Sequence, residues 1–156
     1  MINNNFRSKA FLNKNLILEG LIDYLGDLIE IKSTRKEEII KEIVENSREW
    51  LNNKKFEKLR KEKLDLAIVV YVNKLRMKRQ DVDNIAKVVL DALKKDKNKP
   101  DKPYLYEDDS QIVRLLIYKL ERTESDKFDT SAICISFRKH DPNKQMILKE
   151  LSTFLS

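Results

Sequence analysis

The 156-residue chain contains few glycines, cysteines and histidines, and each shortage excludes a class of site. Its 2 glycines cannot build the glycine-rich loops that hold phosphates in P-loop or dinucleotide-binding proteins. A single histidine and a single cysteine exclude a His/Cys zinc site and an internal disulfide. We expect His140 at the surface, and we expect Cys134, which has apolar neighbours in the sequence, to be a small buried hydrophobe.

Long apolar runs are also missing. No segment approaches the roughly 18 consecutive apolar residues of a transmembrane helix, so no membrane span is predicted. The N-terminal sequence "MINNNFRSKAF" lacks the apolar run and the cleavage site of a signal peptide. Together with the lone cysteine, these features predict a cytoplasmic, intracellular protein.

Charge, in contrast, is abundant and biased toward the basic side. Lys and Arg number 32 against 26 Asp and Glu, which gives a formal net charge of +6. This excess favours an anionic partner, nucleic acid first. The chain has 41% hydrophobic residues and few glycines or prolines, so we predict one domain with a sizeable core.

The hydrophobic pattern predicts an α+β fold, a small mixed sheet with packed helices. Apolar residues at helical spacing predict a helix within residues 34–63, and "LDLAIVVYV" (64–72) predicts a strand buried on both faces. An apolar stripe predicts a second helix within residues 80–93. The segments "QIVRLLIYKL" (111–120) and "SAICISFRK" (131–139) predict an antiparallel hairpin, of which the first strand is largely buried.

These elements divide the single domain into three parts. Residues 1–63 are predicted to form a mostly helical N-terminal part, residues 64–140 a core region, and residues 141–156 a C-terminal helix. Within the first part, residues 15–32 suit either a helix followed by a short strand at 28–32 or a hairpin.

Acidic residues stand out in the segment "QDVDNIAKVVLDAL", residues 80–93. Asp81 and Asp83 lie just before or within the first helical turn, and Lys87 and Asp91 follow Asp83 at intervals of four on one helical face. Ordinary helix capping explains one of these acids, and an exposed charged surface explains any of them.

A divalent metal site is a third explanation, because Mg²⁺ takes oxygen ligands, usually one or two carboxylates with waters and substrate phosphates. Asp108 and Asp109, in "YEDDSQI", come just before the next strand. If that strand pairs beside residues 64–72, its start and the start of the helix can meet at one edge of the sheet. Three or four carboxylates would then converge there, and Lys87 could contact a phosphate or a developing oxyanion.

The segment "DVDNIAKVVLDAL", followed at a distance by "YEDDSQIVRLLIYK", resembles the signature of the RusA family of Holliday-junction resolvases. That signature is D-x-D-N-x-x-K-x-x-x-D-A-L followed by a D-D-x-Q-I/V element that opens a strand. The resemblance covers about residues 64–138 and makes residues 64–140 the catalytic core. It implies a RusA-like, homodimeric protein.

The resemblance also implies roles for single residues. Asp81, Asp83 and Asp109 would bind Mg²⁺, for which Mn²⁺ could substitute, and Lys87 would assist catalysis. Asp108 is an additional candidate for the site, and Asp91 is expected to be structural.

The function implied by the family is Mg²⁺-dependent endodeoxyribonuclease activity. Its members resolve four-way DNA junctions by paired, symmetric phosphodiester hydrolysis in DNA recombination and repair. Two alternatives stay open: a non-cleaving protein of the same fold that binds branched DNA, and a metal-dependent nuclease for flaps or RNA. The candidates for DNA contact are the basic residues beside the acids, Lys74, Arg76, Lys78 and Arg79.

The N-terminal part departs from the family pattern. Family members commonly contact DNA through a proline-containing basic loop after their first strand, whereas here no proline precedes Pro100. The helical segment 34–63 has no expected counterpart in the family.

Overall fold

The computed structural model describes residues 29–72, 81–121 and 131–144, and it also describes the backbone of 16–19, 24–25 and 147–150. The elements in chain order are the strands and helices β1 (Leu16–Glu19), β2 (Tyr24–Leu25), β3 (Ile29–Ile31), α1 (Lys36–Leu51), β4 (Leu64–Val72), α2 (Val82–Leu93), β5 (Ile112–Glu121), β6 (Ser131–Lys139) and β7 (Ile147–Glu150). Two 3-10 turns, Lys54–Leu59 and Asp109–Gln111, precede β4 and β5. No helix in this described part is long and apolar enough to cross a membrane.

The main sheet is mixed, as predicted. Its order is β2-β6-β4-β5, and β3 also pairs with β6. β4 pairs with β5 in parallel and with β6 antiparallel. The predicted hairpin between β5 and β6 is therefore wrong, because β4 lies between these two strands.

The hydrophobic core lies between the sheet and its two helices. Every residue of β4 is buried, which confirms the prediction of a strand covered on both faces. The side chains of Leu66, Ile68 and Val70 belong to one core cluster with buried residues of α1 and α2. Cys134 is buried on the opposite face of the sheet, as expected.

β5 is less buried than its sequence predicts. Its side chains alternate between half-buried and exposed over much of its length, and Val113, Leu115 and Tyr118 are exposed. The prediction of a largely buried strand is wrong because β5 ends the sheet order and has β4 as its one strand partner among the described residues.

The two ends of the chain differ from prediction. β1 pairs antiparallel with β7, so the predicted C-terminal helix is wrong at Ile147–Glu150. Cross-strand pairing thus prevails over helical apolar spacing there. Neither alternative for residues 15–32 is right as a whole, because β1 pairs with β7 while β2 and β3 both pair with β6. Within residues 34–63, the predicted helix is present as α1, from Lys36 to Leu51.

One buried charged cluster crosses three strands at the start of β4. Asp65 is the direct partner of Arg138 on β6 and of Arg114 on β5. The Arg138 Nε donates to the Asp65 carboxylate over 2.8 Å, and His140 Nδ1 lies 2.8 Å from the other oxygen. Only 18% of the His140 side chain is exposed, so its predicted surface position is wrong.

The unit β4–α2–β5 positions the acidic residues. Because β4 and β5 are parallel, α2 must run back along the sheet between them. The loop after α2 is fastened to the last helical turn. Lys102 Nζ donates to the carbonyls of Asp91 and Lys94, each over 2.8 Å, and the Tyr106 hydroxyl donates to that of Leu90 over 2.9 Å.

Candidate active site

Asp81 occupies the position before the first residue of α2. Its backbone is extended, with φ −80° and ψ 138°, and its carbonyl accepts the first helical hydrogen bond from Ile85 N over 3.2 Å. Its carboxylate makes no capping hydrogen bond to the helix. Capping therefore does not account for Asp81, whose exposed carboxylate is available for another ligand. Asp83 lies in the first turn and is exposed as well.

A cavity of about 360 Å³ opens beside Asp81. It lies between the start of α2, the segment that enters α1, and the sheet beneath them. Asp81, Asn84 and Lys87 are exposed lining residues at its mouth, so Lys87 lies at the same cavity as Asp81. The structure thus brings these two predicted site residues together.

The D-D-x-Q element lies just before β5, and its residues have different roles. The Asp108 carboxylate caps the 3-10 turn by accepting from Ser110 N over 3.0 Å, and it also contacts the Ser110 hydroxyl. Hydrogen bonds from the Ser110 side chain and backbone hold the pKa of Asp108 below its usual range, with smaller contributions from lysine charges. Asp108 is thus engaged in holding the turn.

Gln111 fastens this turn to the segment before β4. Its side-chain oxygen accepts from the N–H groups of Glu107 and Asp108 over 2.8 and 2.9 Å. Its side-chain nitrogen donates to the carbonyls of Arg60 and Glu62, each over 2.8 Å. The buried Gln111 amide therefore uses all of its hydrogen-bonding capacity to hold the residues just before Asp109 against the segment before β4.

Asp109 points to a lysine at the end of α2. Its carboxylate lies 3.0 Å from Lys94 Nζ, and 76% of its side chain is exposed. Burial raises the pKa of the neighbouring Tyr106 hydroxyl, and the charges of Asp109 and Asp91 add to that rise. Lys94 thus supplies a positive charge beside Asp109.

Asp91 has a similar partner on the other helix. Lys36 Nζ of α1 lies 3.0 Å from the Asp91 carboxylate, which supports the structural role predicted for Asp91. Neither Lys36 nor Lys94 was predicted from the sequence to contact these acids. Lys94 directly follows the last residue of α2, so its position in the sequence could have indicated a contact near the end of that helix. The contact of Lys36 depends on how the two helices pack.

The acids of the motif do not converge within one chain. Asp81 lies at the start of α2, whereas Asp109 lies beside Lys94 at its end. The 12 residues of α2 separate these points by about 18 Å at 1.5 Å per residue. Among the described residues, no group of three or more His, Cys, Asp or Glu side chains could hold a metal ion. The acids of a single chain therefore do not fit a three-carboxylate metal centre.

The direction of β5 explains this separation. The predicted convergence required the start of β5 and the start of α2 to lie at the same end of the sheet. β5 does pair beside β4, but in parallel, so that Ile112 lies opposite Leu64. The start of β5 is therefore at the start of β4, while α2 begins after the end of β4.

A comparison with models of known protein families shows which family the chain belongs to. The model for "Endodeoxyribonuclease RusA" matches residues 31–127, well over half of the chain. The protein belongs to the RusA family. Comparison with curated proteins gave no match.

The RusA region differs in extent from the resemblance seen in the sequence. It starts at β3 and includes all of α1, so the helical segment without an expected counterpart lies inside the family region. It ends at residue 127, before β6, and it contains both the D-x-D and the D-D-x-Q elements. The nucleases of the RusA family are metal-dependent.

The predicted DNA-binding residues cannot be placed. Lys74, Arg76, Lys78 and Arg79 all lie outside the described residues, in the segment that connects β4 to Asp81. A second charged surface, which was not predicted from the sequence, lies at the opposite end of α2. It lines a cavity of about 540 Å³ and consists of six lysines, Lys36, Lys94, Lys95, Lys97, Lys99 and Lys102, and four acids, Asp91, Asp96, Glu107 and Asp108.

Proposed function

We propose that the protein is a metal-dependent, structure-selective DNA endonuclease that resolves four-way junctions in recombination and repair. The observation that carries this proposal is the RusA family match, which spans both acidic elements. The uncapped Asp81 carboxylate beside Lys87 and the net charge of +6 support it.

We assign the site to Asp81, Asp83, Lys87 and Asp109, with Mg²⁺ as the metal and Mn²⁺ as a substitute. Carboxylate oxygens are the donor type that Mg²⁺ prefers. Asp108 is excluded from this assignment because its carboxylate caps the turn before β5. When bound, the ion would activate a water and neutralise charge on the phosphate.

A homodimer would resolve the separation of the acids. Asp83, Lys87 and Asp91 share an exposed face of α2, and Asp109 lies at the end of that helix. If two copies meet antiparallel about a two-fold axis along this face, the Asp81 end of one copy meets the Asp109 end of the other. Two equivalent sites result, as two symmetric cuts in a junction require.

The chain's own residues would handle the phosphate as follows. Lys87, at the cavity mouth with Asp81, is placed to contact a phosphate oxygen and stabilise charge that develops on it. Lys97 and Lys99, which are exposed lining residues of the second cavity, provide positive charge for neighbouring phosphates along a DNA arm. Binding would therefore weaken steeply as salt rises.

The first test uses an end-labelled four-way junction and a linear duplex of the same sequence. Each is incubated with wild type, Asp83→Asn or Asp101→Asn in Mg²⁺ or EDTA, with Asp101 serving as an exposed acid outside the motif. Paired symmetric nicks that need Mg²⁺ and Asp83, and that Asp101→Asn retains, are expected. Tight junction binding without cutting in any divalent metal would favour the binding-only alternative.

Complementation tests the shared site. Asp83→Asn and Asp109→Asn are each expected to be inactive as homodimers. A mixed dimer carries one site whose Asp81, Asp83 and Asp109 are all intact, so a mixture should nick one strand of the junction. A mixture as inactive as its components would refute the shared site.

A lysine variant separates binding from chemistry. Lys87→Ala is expected to slow cutting by roughly 10²-fold, since stabilising charge at the reacting phosphate is lost. Its junction affinity should remain close to that of Lys61→Ala, a change at an exposed lysine outside the site. An equal loss of affinity and rate would contradict the role given to Lys87.

A further inference from the structure

The cavity beside Asp81 has apolar walls that phosphate binding alone does not explain. Among its lining residues, Ile31, Val70 and Ile133 are 3%, 1% and 4% exposed and belong to the main core. Most polar lining residues are exposed, as Asp81, Asn84 and Lys87 are, whereas Ser131 is 3% exposed and lies in the buried part of the wall. The cavity is thus a mainly apolar pocket with one buried serine and an exposed polar rim.

The size and the apolar walls of this pocket suit a small, largely apolar group. A volume of about 360 Å³ lies at the lower end of the roughly 300–1,000 Å³ typical of ligand sites. Apolar side chains from the sheet and from both helices form its walls. A free phosphate gains nothing from such walls, because burying a charge in apolar surroundings is costly.

The rim connects the pocket with the proposed cutting point. Asp81, which we assign to the metal, and Lys87, which we assign to the reacting phosphate, line the mouth together with Asn84. In a DNA strand the nucleobase is one sugar away from its phosphate. The Asn84 side chain offers both a donor and an acceptor, the combination that reads the edge of a base.

From these features we infer that the pocket receives a nucleobase of the cut strand, unstacked beside the phosphodiester at Asp81 and read at its edge by Asn84. The inference rests on the proposed function. Apolar side chains enclose flipped bases in enzymes that extrude them, and unstacking costs least where pairing is already disturbed, as at a branch point. The pocket would therefore add base preference to a site that otherwise recognises junction shape.

The test places the fluorescent base 2-aminopurine at each nucleotide around the cut point of a junction. Fluorescence is measured in EDTA, so that binding occurs without cutting. We expect a several-fold rise at one position with wild type and its loss with Thr34→Phe, which fills the pocket from its lining. Glu37→Phe, an exposed change on α1 outside the pocket, should keep the rise.

A second measurement concerns base preference. Cutting rates in Mg²⁺ are compared for four junctions that differ in the base at that position. Asn84→Ala should reduce the wild-type preference from about tenfold to near unity, since one good base contact contributes on that order.

The outcomes separate the two proposals. A junction that is bound and cut, with no rise at any position and with unchanged rates in Thr34→Phe, overturns the base pocket and leaves the nuclease standing. A protein that neither binds nor cuts any junction overturns the proposed function, and the base pocket with it.

Discussion

Substitution within the Asp65–Arg138 pair tests a fully buried ion pair of the fold. Asp65 and the Arg138 side chain are 0% and 1% exposed, and the two groups lie 2.8 Å apart. Arg138 also donates to the carbonyl of Lys144 over 3.2 Å, so the pair holds the turn after β6 against the sheet. Asp65→Leu would leave a buried guanidinium without its carboxylate.

The expected cost follows from this burial. Removing one partner of a buried ion pair destabilises a protein by about 3–5 kcal/mol, because the remaining charge loses its compensation. We expect Asp65→Leu to lower the free energy of unfolding by about that much. Arg138→Met should cost less, because Asp65 keeps His140 at 2.8 Å and Arg114 at 3.9 Å. The double variant should be within about 1–2 kcal/mol of wild type, since no buried charge is left alone. Urea denaturation followed by circular dichroism measures all four proteins.

Arg114→Met is a less disruptive variant that keeps the test usable if the other variants do not fold. Arg114→Met removes a partner that lies 3.9 Å from Asp65 and is 31% exposed, so a loss below about 1 kcal/mol is expected. Single variants that each lose less than about 1 kcal/mol, with additive effects in the double variant, would refute the reasoning.

Three further predictions concern the segments around the acidic elements. Gln111→Leu should lower the free energy of unfolding by about 2–4 kcal/mol, because four backbone groups lose their partner, and a change below about 0.5 kcal/mol in urea denaturation would contradict this. Asp108 has a lowered pKa in the folded protein, so it stabilises the fold above its unfolded pKa, and that stabilisation is lost as pH falls through the folded value. The stability difference between wild type and Asp108→Asn should therefore be present at pH 6 and shrink as the pH falls below the usual range of an aspartate, whereas a difference independent of pH would count against it. Lys102→Met should cost about 1 kcal/mol in thermal denaturation, since its ammonium group caps the end of α2, and an unchanged midpoint would speak against that role.

Local patterns in the sequence predicted the central elements well. Residues 64–72 are apolar at almost every position, and only a strand covered on both faces buries them all. The apolar stripe of α2 predicted its buried side, where Val89, Ala92 and Leu93 lie. These predictions hold because each depends on neighbours within a few residues.

Predictions that depend on strand order were less successful. Nothing in "QIVRLLIYKL" indicates that β4 lies between it and β6, or that it runs parallel to β4. The same missing information led to the expected convergence of Asp81 with Asp109. The different roles of Asp108 and Asp109 in "EDDSQ" could not be predicted from the sequence either. The two residues are chemically identical and differ only in the contacts that their positions allow.

The fastening of the loop after α2 has a practical consequence for measurement. Lys102 and Tyr106 tie the loop to the last helical turn, whereas residues 97–100 between them and the helix are exposed. The one native thiol, Cys134, is 1% exposed and hence shielded from labelling reagents. A cysteine introduced at Asn98 would thus take a fluorophore selectively, without prior removal of the native residue. Such a dye, beside the lysine-lined cavity, would report the arrival of DNA in real time.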